Sequence, residues 1–109
     1  MPLQLTPAQE ALIRALLQRH LDGVEVWAYG SRVTGKARPA SDLDLVVLAG
    51  AEHRRAVAEL REAFEESDLP FRVDLFLWDD LPESFRENIR SNHIVLQPKK
   101  SVQEPESCP

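Results

Sequence analysis

Leu5, Ala8, Leu12 and Leu16, with Ile13 and Leu17 beside them, recur at intervals of three and four residues, the stripe of a helix that buries one side. Thr6 stands at the cap position, Pro7 suits the first helical residue and Gln9 completes a Thr-x-x-Gln capping box, so the spacing predicts a helix from Thr6 to about His20. Gly23 breaks it, and the period then drops to two. Val24, Val26 and Ala28 alternate with Glu25, Trp27 and Tyr29 in a first strand. Asp42 to Leu48 reads as a second, with Leu43, Leu45 and Val47 on one face and Asp42 and Asp44 on the other. Phe71 to Trp78 reads as a third, with Phe71, Val73, Leu75 and Leu77 opposite Arg72, Asp74, Phe76 and Trp78. Between the last two, Glu52 to Ser67 carries Ala56, Val57, Leu60, Ala63 and Phe64 at helical spacing. A short helix from Pro82 to about Arg90 and a brief apolar piece, Ile94 to Leu96, complete the pattern.

This pattern uses residues 1–97 as one domain, in keeping with a chain of 109 residues that is 43% hydrophobic and 28% charged. Residues 98–109 hold three prolines and one aliphatic side chain, too little to build a core, and read as a disordered tail. Met1-Pro2-Leu3-Gln4 lacks the basic and apolar segments of a signal peptide, and no apolar run approaches the roughly 18 residues of a membrane span, so a cytoplasmic protein without membrane attachment is expected. Cys108, the single cysteine, allows neither an internal disulfide nor a cysteine zinc site.

Eighteen acidic residues against thirteen basic ones leave a net charge of -5, which argues against gripping a nucleic-acid polymer. Arg32, Lys36 and Arg38 nevertheless form a local basic stretch.

The candidate chemistry lies around that stretch. Alternate strand residues point the same way roughly 7 Å apart, so Asp42 and Asp44 form a pair of like charges that nothing in a fold requires. A hard divalent cation is the usual reason to tolerate such a pair, because Mg²⁺ takes oxygen ligands at about 2.1 Å. Should the third strand lie beside the second, Asp74 adds a third carboxylate to the same face. Three such acids can hold two ions about 3.5 to 4 Å apart, the spacing that clamps both oxygens of an in-line phosphoryl displacement. Gly30-Ser31 ends the first strand, where glycine permits close backbone approach and Ser31 can donate to phosphate oxygens. Arg32, Lys36 and Arg38 would add positive charge for a triphosphate. Gly-Ser and Asp-x-Asp are each common and weak signals alone; their combination with a later acid-bearing strand is far less so.

Gly30-Ser31, ten intervening residues, then Asp42-Leu43-Asp44 resembles the Gly-Ser-x10-Asp-x-Asp signature of the DNA polymerase β-like nucleotidyltransferase superfamily, and in its short form the minimal nucleotidyltransferase (MNT) proteins. The resemblance covers residues 24–96, with Arg72-Val-Asp-Leu75 at the place of the third acid. It implies an α/β (α+β) fold, a mixed sheet with helices packed on one face and the carboxylates on the other. It implies Asp42, Asp44 and Asp74 as catalytic metal ligands for two Mg²⁺ ions, and Gly30 and Ser31, joined by Arg32 and Lys36, as the cradle of the ATP phosphates. It implies as partner a HEPN-domain toxin that receives AMP on a hydroxyl, the chain acting as its antitoxin. Neutralisation by stoichiometric binding is the alternative, and transfer to a small molecule or an RNA end is a third. A chain of this length has no residues left for a domain that binds the acceptor, so another molecule must present it.

The remaining conspicuous residues read as structural. His20, His53 and His93 are too scattered to suggest a metal cluster, Trp27 and Trp78 share the strand faces of the acids and suit packing at the sheet edge, and the acidic run Glu62 to Asp68 suits a solvated helix face.

Overall fold

The computed structural model describes residues 3–38 and 41–100. Helix α1 spans Pro7–His20, and its capping box closes in both directions: the Gln9 amide donates to Thr6 Oγ1 at 3.1 Å and the Thr6 amide to Gln9 Oε1 at 3.0 Å. Strand β1 (Val26–Tyr29), helix α2 (Ser31–Thr34) and strand β2 (Leu43–Val47) follow. A 3₁₀ turn at Ala51–His53 leads into α3 (Arg54–Glu65), then β3 (Val73–Leu77), a second 3₁₀ turn at Trp78–Asp80, α4 (Glu83–Ser91) and β4 (His93–Gln97).

The strands form one mixed sheet in the order β3-β2-β1-β4. β1 runs antiparallel to both neighbours, while β2 and β3 are parallel, a pairing that needs a crossover, supplied here by α3. The first three strands are each shorter than the alternation suggests. Val24 and Glu25 precede the ladder, yet their carbonyls are held from outside it, by Gln97 Nε2 at 2.8 Å and the Leu48 amide at 2.9 Å. The apolar piece at Ile94 to Leu96 becomes an edge strand because β1 has a free side to pair with.

The aliphatic row of each strand faces α1 and α3. Ile13, Leu17, Val57 and Leu60 pack in one cluster with Val26, Ala28, Leu43, Leu45, Val47, Val73, Leu75 and Leu77. The expectation that helices share one face holds for these two. Helix α4 differs: its Phe85 meets the Tyr29 ring edge-on at 6.1 Å, and Tyr29 lies on the face that carries Asp44. The core face is already filled, and α4 has only the narrow stripe of Phe85 and Ile89 to bury. Val46 and Ile89 are buried outside the main cluster, a second and smaller apolar layer on the carboxylate side.

Of the expected tail, residues 98–100 are described. The Lys100 amide donates to the Gly23 carbonyl at 3.2 Å and its ammonium lies 3.8 Å from Asp22 Oδ2, so the chain leaves β4 along the α1–β1 turn. Residues 101–109, with Cys108, lie outside the described residues. Among the described residues no helix is long and apolar enough to cross a membrane.

Candidate active site

Asp44 and Asp74 are register partners in the parallel pair β2 and β3. Directly paired residues of adjacent strands project to the same face, with backbones about 4.8 Å apart, so the two carboxylates share one face. Asp42 stands two residues before Asp44, where the Leu43 amide bonds the Arg72 carbonyl at 2.9 Å and ties the start of β2 to β3. The three acids thus meet at one end of the sheet.

The Gly30 turn completes that end. Gly30 caps α2 with φ 86° and ψ -156°, a region essentially restricted to glycine. A Cβ at this position would collide with Asp44 Oδ2. The missing side chain is therefore what lets the carboxylate lie against the turn, and Ser31 follows directly as the first residue of α2.

The site is electrostatically strained. Partial burial, then the charges of Asp74 and Asp42, push Asp44 up to about 6. Burial and the charges of Asp44 and Asp74 likewise raise the Tyr29 phenol, which stays neutral across the physiological range. Among the described residues, Arg72 is the cation in ion-pair contact with these acids. Arg72 Nε lies 3.4 Å from Asp74 Oδ1, and its Nη2 lies 3.6 Å from Asp42 Oδ2.

The residue types suit a divalent metal. All three donors are hard carboxylate oxygens, Asp44 remains short of positive charge, and a guanidinium stands where a cation is called for. As placed, however, no three described carboxylates or histidines gather closely enough to share one ion.

Arg32 occupies a different place from the one its sequence position suggests. Its side chain is 5% exposed and its guanidinium donates to the carbonyls of Ser41 at 2.9 and 3.0 Å, Gln4 at 2.7 Å and Arg38 at 3.4 Å. It also lies over the Phe71 ring at 4.0 Å. These contacts tie the N-terminal segment and the loop before Asp42 together, so the donors expected for phosphates are engaged by backbone. Lys36 is exposed just beyond α2, its amide bonded to the Ser31 carbonyl, and it pairs with none of the three acids.

Trp27 and Trp78 pack on each other as structural side chains, but Trp27 stands on the interior strand β1 and not at the sheet edge. Their rings meet edge-on at 5.5 Å, Trp27 stacks on His93 at 3.8 Å, and Arg86 and Arg90 stand over Trp78. Two neighbours of the site have no chemical role assigned by the sequence pattern: Arg72, which opens the Arg72-Val-Asp-Leu75 stretch, and Tyr29, which directly precedes Gly30-Ser31. The signal for Arg72 was present, since it sits two residues from Asp74 on the same strand face; Tyr29 enters the site only through its pairing with Asp44.

The family described as Polymerase beta, Nucleotidyltransferase matches residues 12–101, and the chain belongs to this family and is a nucleotidyltransferase. It is 44% identical over 105 residues to the Probable protein adenylyltransferase MntA of Haemophilus influenzae, covering 94% of this chain and 92% of that protein. A solved structure assigned as a minimal nucleotidyltransferase is 32% identical, with a TM-score of 0.63 over 80% of this chain and 88% of its own. A chain of a toxin–antitoxin crystal structure with AMP-PNP is 24% identical and shares the fold, with a TM-score of 0.63 over 81% of this chain and 72% of its own.

Proposed function

We propose that this nucleotidyltransferase transfers AMP from ATP to a hydroxyl of a partner protein of the HEPN toxin type, and so acts as its antitoxin. The observation that carries the chemistry is the register of Asp44 with Asp74, two residues after Asp42 and against the side-chain-free turn at Gly30. The name of the Haemophilus protein supports adenylyl transfer to protein, and the toxin–antitoxin structure with AMP-PNP supports the nucleotide and the kind of partner.

Asp42, Asp44 and Asp74 would hold magnesium, which when bound supplies charge neutralisation at the triphosphate and lowers the pKa of the acceptor hydroxyl. The acceptor oxygen forms its bond to the α-phosphorus while the bond from that phosphorus to the β-bridging oxygen breaks, releasing pyrophosphate. Asp74, on the edge strand β3, takes the hydroxyl proton. Gly30 and Ser31 admit the phosphates to the carboxylate face, and Lys36 adds charge at its rim. Arg32 acts from behind, holding the Ser41 carbonyl and thereby the start of Asp42.

A second reading, neutralisation of the partner by binding alone, draws on the spacing of the acids, which as placed do not converge on one ion. Intact-mass spectrometry on the chain copurified with its partner, with ATP and Mg²⁺, separates the two. A gain of AMP on the partner that is lost in Asp42→Asn supports transfer. A stable, unmodified and neutralised partner supports binding.

A further inference from the structure

Among the described residues Arg72 is the cation in ion-pair contact with these acids: it touches two of the three and opens the Arg72-Val-Asp-Leu75 stretch that carries Asp74. It reaches Asp74 from two residues away along its own strand and Asp42 from across the β2–β3 junction. Its contacts, at 3.4 and 3.6 Å, are longer than well-formed charge-assisted hydrogen bonds, and its side chain is 72% exposed. It therefore differs from Arg32, whose burial and carbonyl contacts hold it fixed. Among the described residues no carbonyl holds the Arg72 guanidinium, and a shallow groove of about 320 Å³ opens beside it along β3.

We infer that Arg72 is a displaceable placeholder cation: it neutralises Asp42 and Asp74 while the site lacks divalent metal, and it must leave them for the ion to be held. The inference rests on the metal-dependent reading above and adds a positioning residue to it. Arg72 engages two of the three carboxylates that would hold the ion, so the two cations compete. A unit positive charge a few ångströms from the site also repels an incoming divalent ion, even through water. Without such a counter-ion the empty site would set three like charges on one face with nothing between them, and the side chains would splay. Arg72 thus trades metal affinity for an ordered empty site, an advantage when the ion arrives together with a triphosphate that brings charge of its own.

The test is Mn²⁺ binding, followed by electron paramagnetic resonance without nucleotide, in the full chain and in Arg72→Gln and Arg72→Lys. Arg72→Gln is expected to bind Mn²⁺ about thirtyfold more tightly, the size of one unit charge acting on a divalent ion about 4 Å away in water, with Arg72→Lys between the two. In chelator, Arg72→Gln is expected to melt earlier than the parent chain, and saturating Mn²⁺ should close most of the gap. Equal or weaker Mn²⁺ binding by folded Arg72→Gln, verified by its circular dichroism, overturns the placeholder role while leaving the metal-dependent function standing. Failure of the parent chain and both variants to bind Mn²⁺ overturns the placeholder role, and the metal-dependent function falls with it only if the copurified partner also gains no AMP from ATP and Mg²⁺.

Discussion

Gly30 and Asp44 occupy mutually exclusive space: a Cβ on the first would fall on the carboxylate of the second. The sharp turn at the end of β1 and the acid on β2 are therefore a single feature, although thirteen residues lie between them in the chain. Gly30→Ala adds a left-handed strain to that collision. It should cost about 2–4 kcal/mol of stability, measured by denaturant unfolding, and remove nucleotidyl transfer even in the fraction that remains folded.

Asp44 also gives the metal-free protein a distinctive response to pH. Its carboxyl is raised from the ordinary carboxylate range to about 6 by burial and by Asp74 and Asp42. The folded chain then binds a proton more tightly than the unfolded chain does. The stability this contributes is present below the unfolded pKa and is lost as pH rises from about 4 through about 6. Because the group is only half-buried, the loss should amount to about 1 kcal/mol. Urea unfolding in chelator between pH 4 and pH 7 checks it. Asp44→Asn should flatten this component and leave the chelated protein more stable than the parent at pH 7.

Arg32→Met distinguishes a structural from a phosphate-binding side chain. Removing the guanidinium leaves the part-buried Ser41 and Gln4 carbonyl contacts without their donor, at a cost of about 1–3 kcal/mol. Arg32→Lys should recover little, since an ammonium lacks the planar fork that reaches several carbonyls at once. Chemical denaturation reads the loss directly. A normal unfolding midpoint together with a raised KM for ATP would instead place the side chain on the nucleotide.

The outer edge of β3 carries its own protection. Arg61 Nη2 donates to the Leu75 carbonyl at 2.7 Å, occupying one of the groups an edge strand exposes to other chains. Arg61→Ala should lower stability by about 1 kcal/mol and increase self-association, measured by light scattering across a concentration series. An unchanged scattering profile would show that the edge needs no cover.

The elements and the acids were legible for reasons that operate locally. The capping box of α1 lies within four consecutive residues, and the aliphatic rows of β2 and β3 follow from period two, so Asp42, Asp44 and Asp74 could be assigned to faces before any strand was paired. For Arg32 the sequence left the surroundings open, because composition records a charge but not its burial. Its position beside Gly30-Ser31 suggested a phosphate ligand, whereas Phe71 and the carbonyls of residues 4, 38 and 41 form around it only once the chain has closed. The path of α4 was hidden for a similar reason, since a two-residue apolar stripe does not say which face of a sheet it will cover.

The sequence by itself determined the alternation that sets the acids opposite the core, the glycine at the end of β1 and the family signature, because each depends on residues close together in the chain. The tertiary structure decided which strands are neighbours. The parallel pairing of β2 with β3 aligns Asp44 with Asp74, the antiparallel pairing of β1 with β2 brings Tyr29 beside them, and the same junction carries Arg72 onto Asp42. These relationships depend on strand order and register, which packing α1 and α3 against one face selects through the burial of the whole core at once, and no local spacing encodes them.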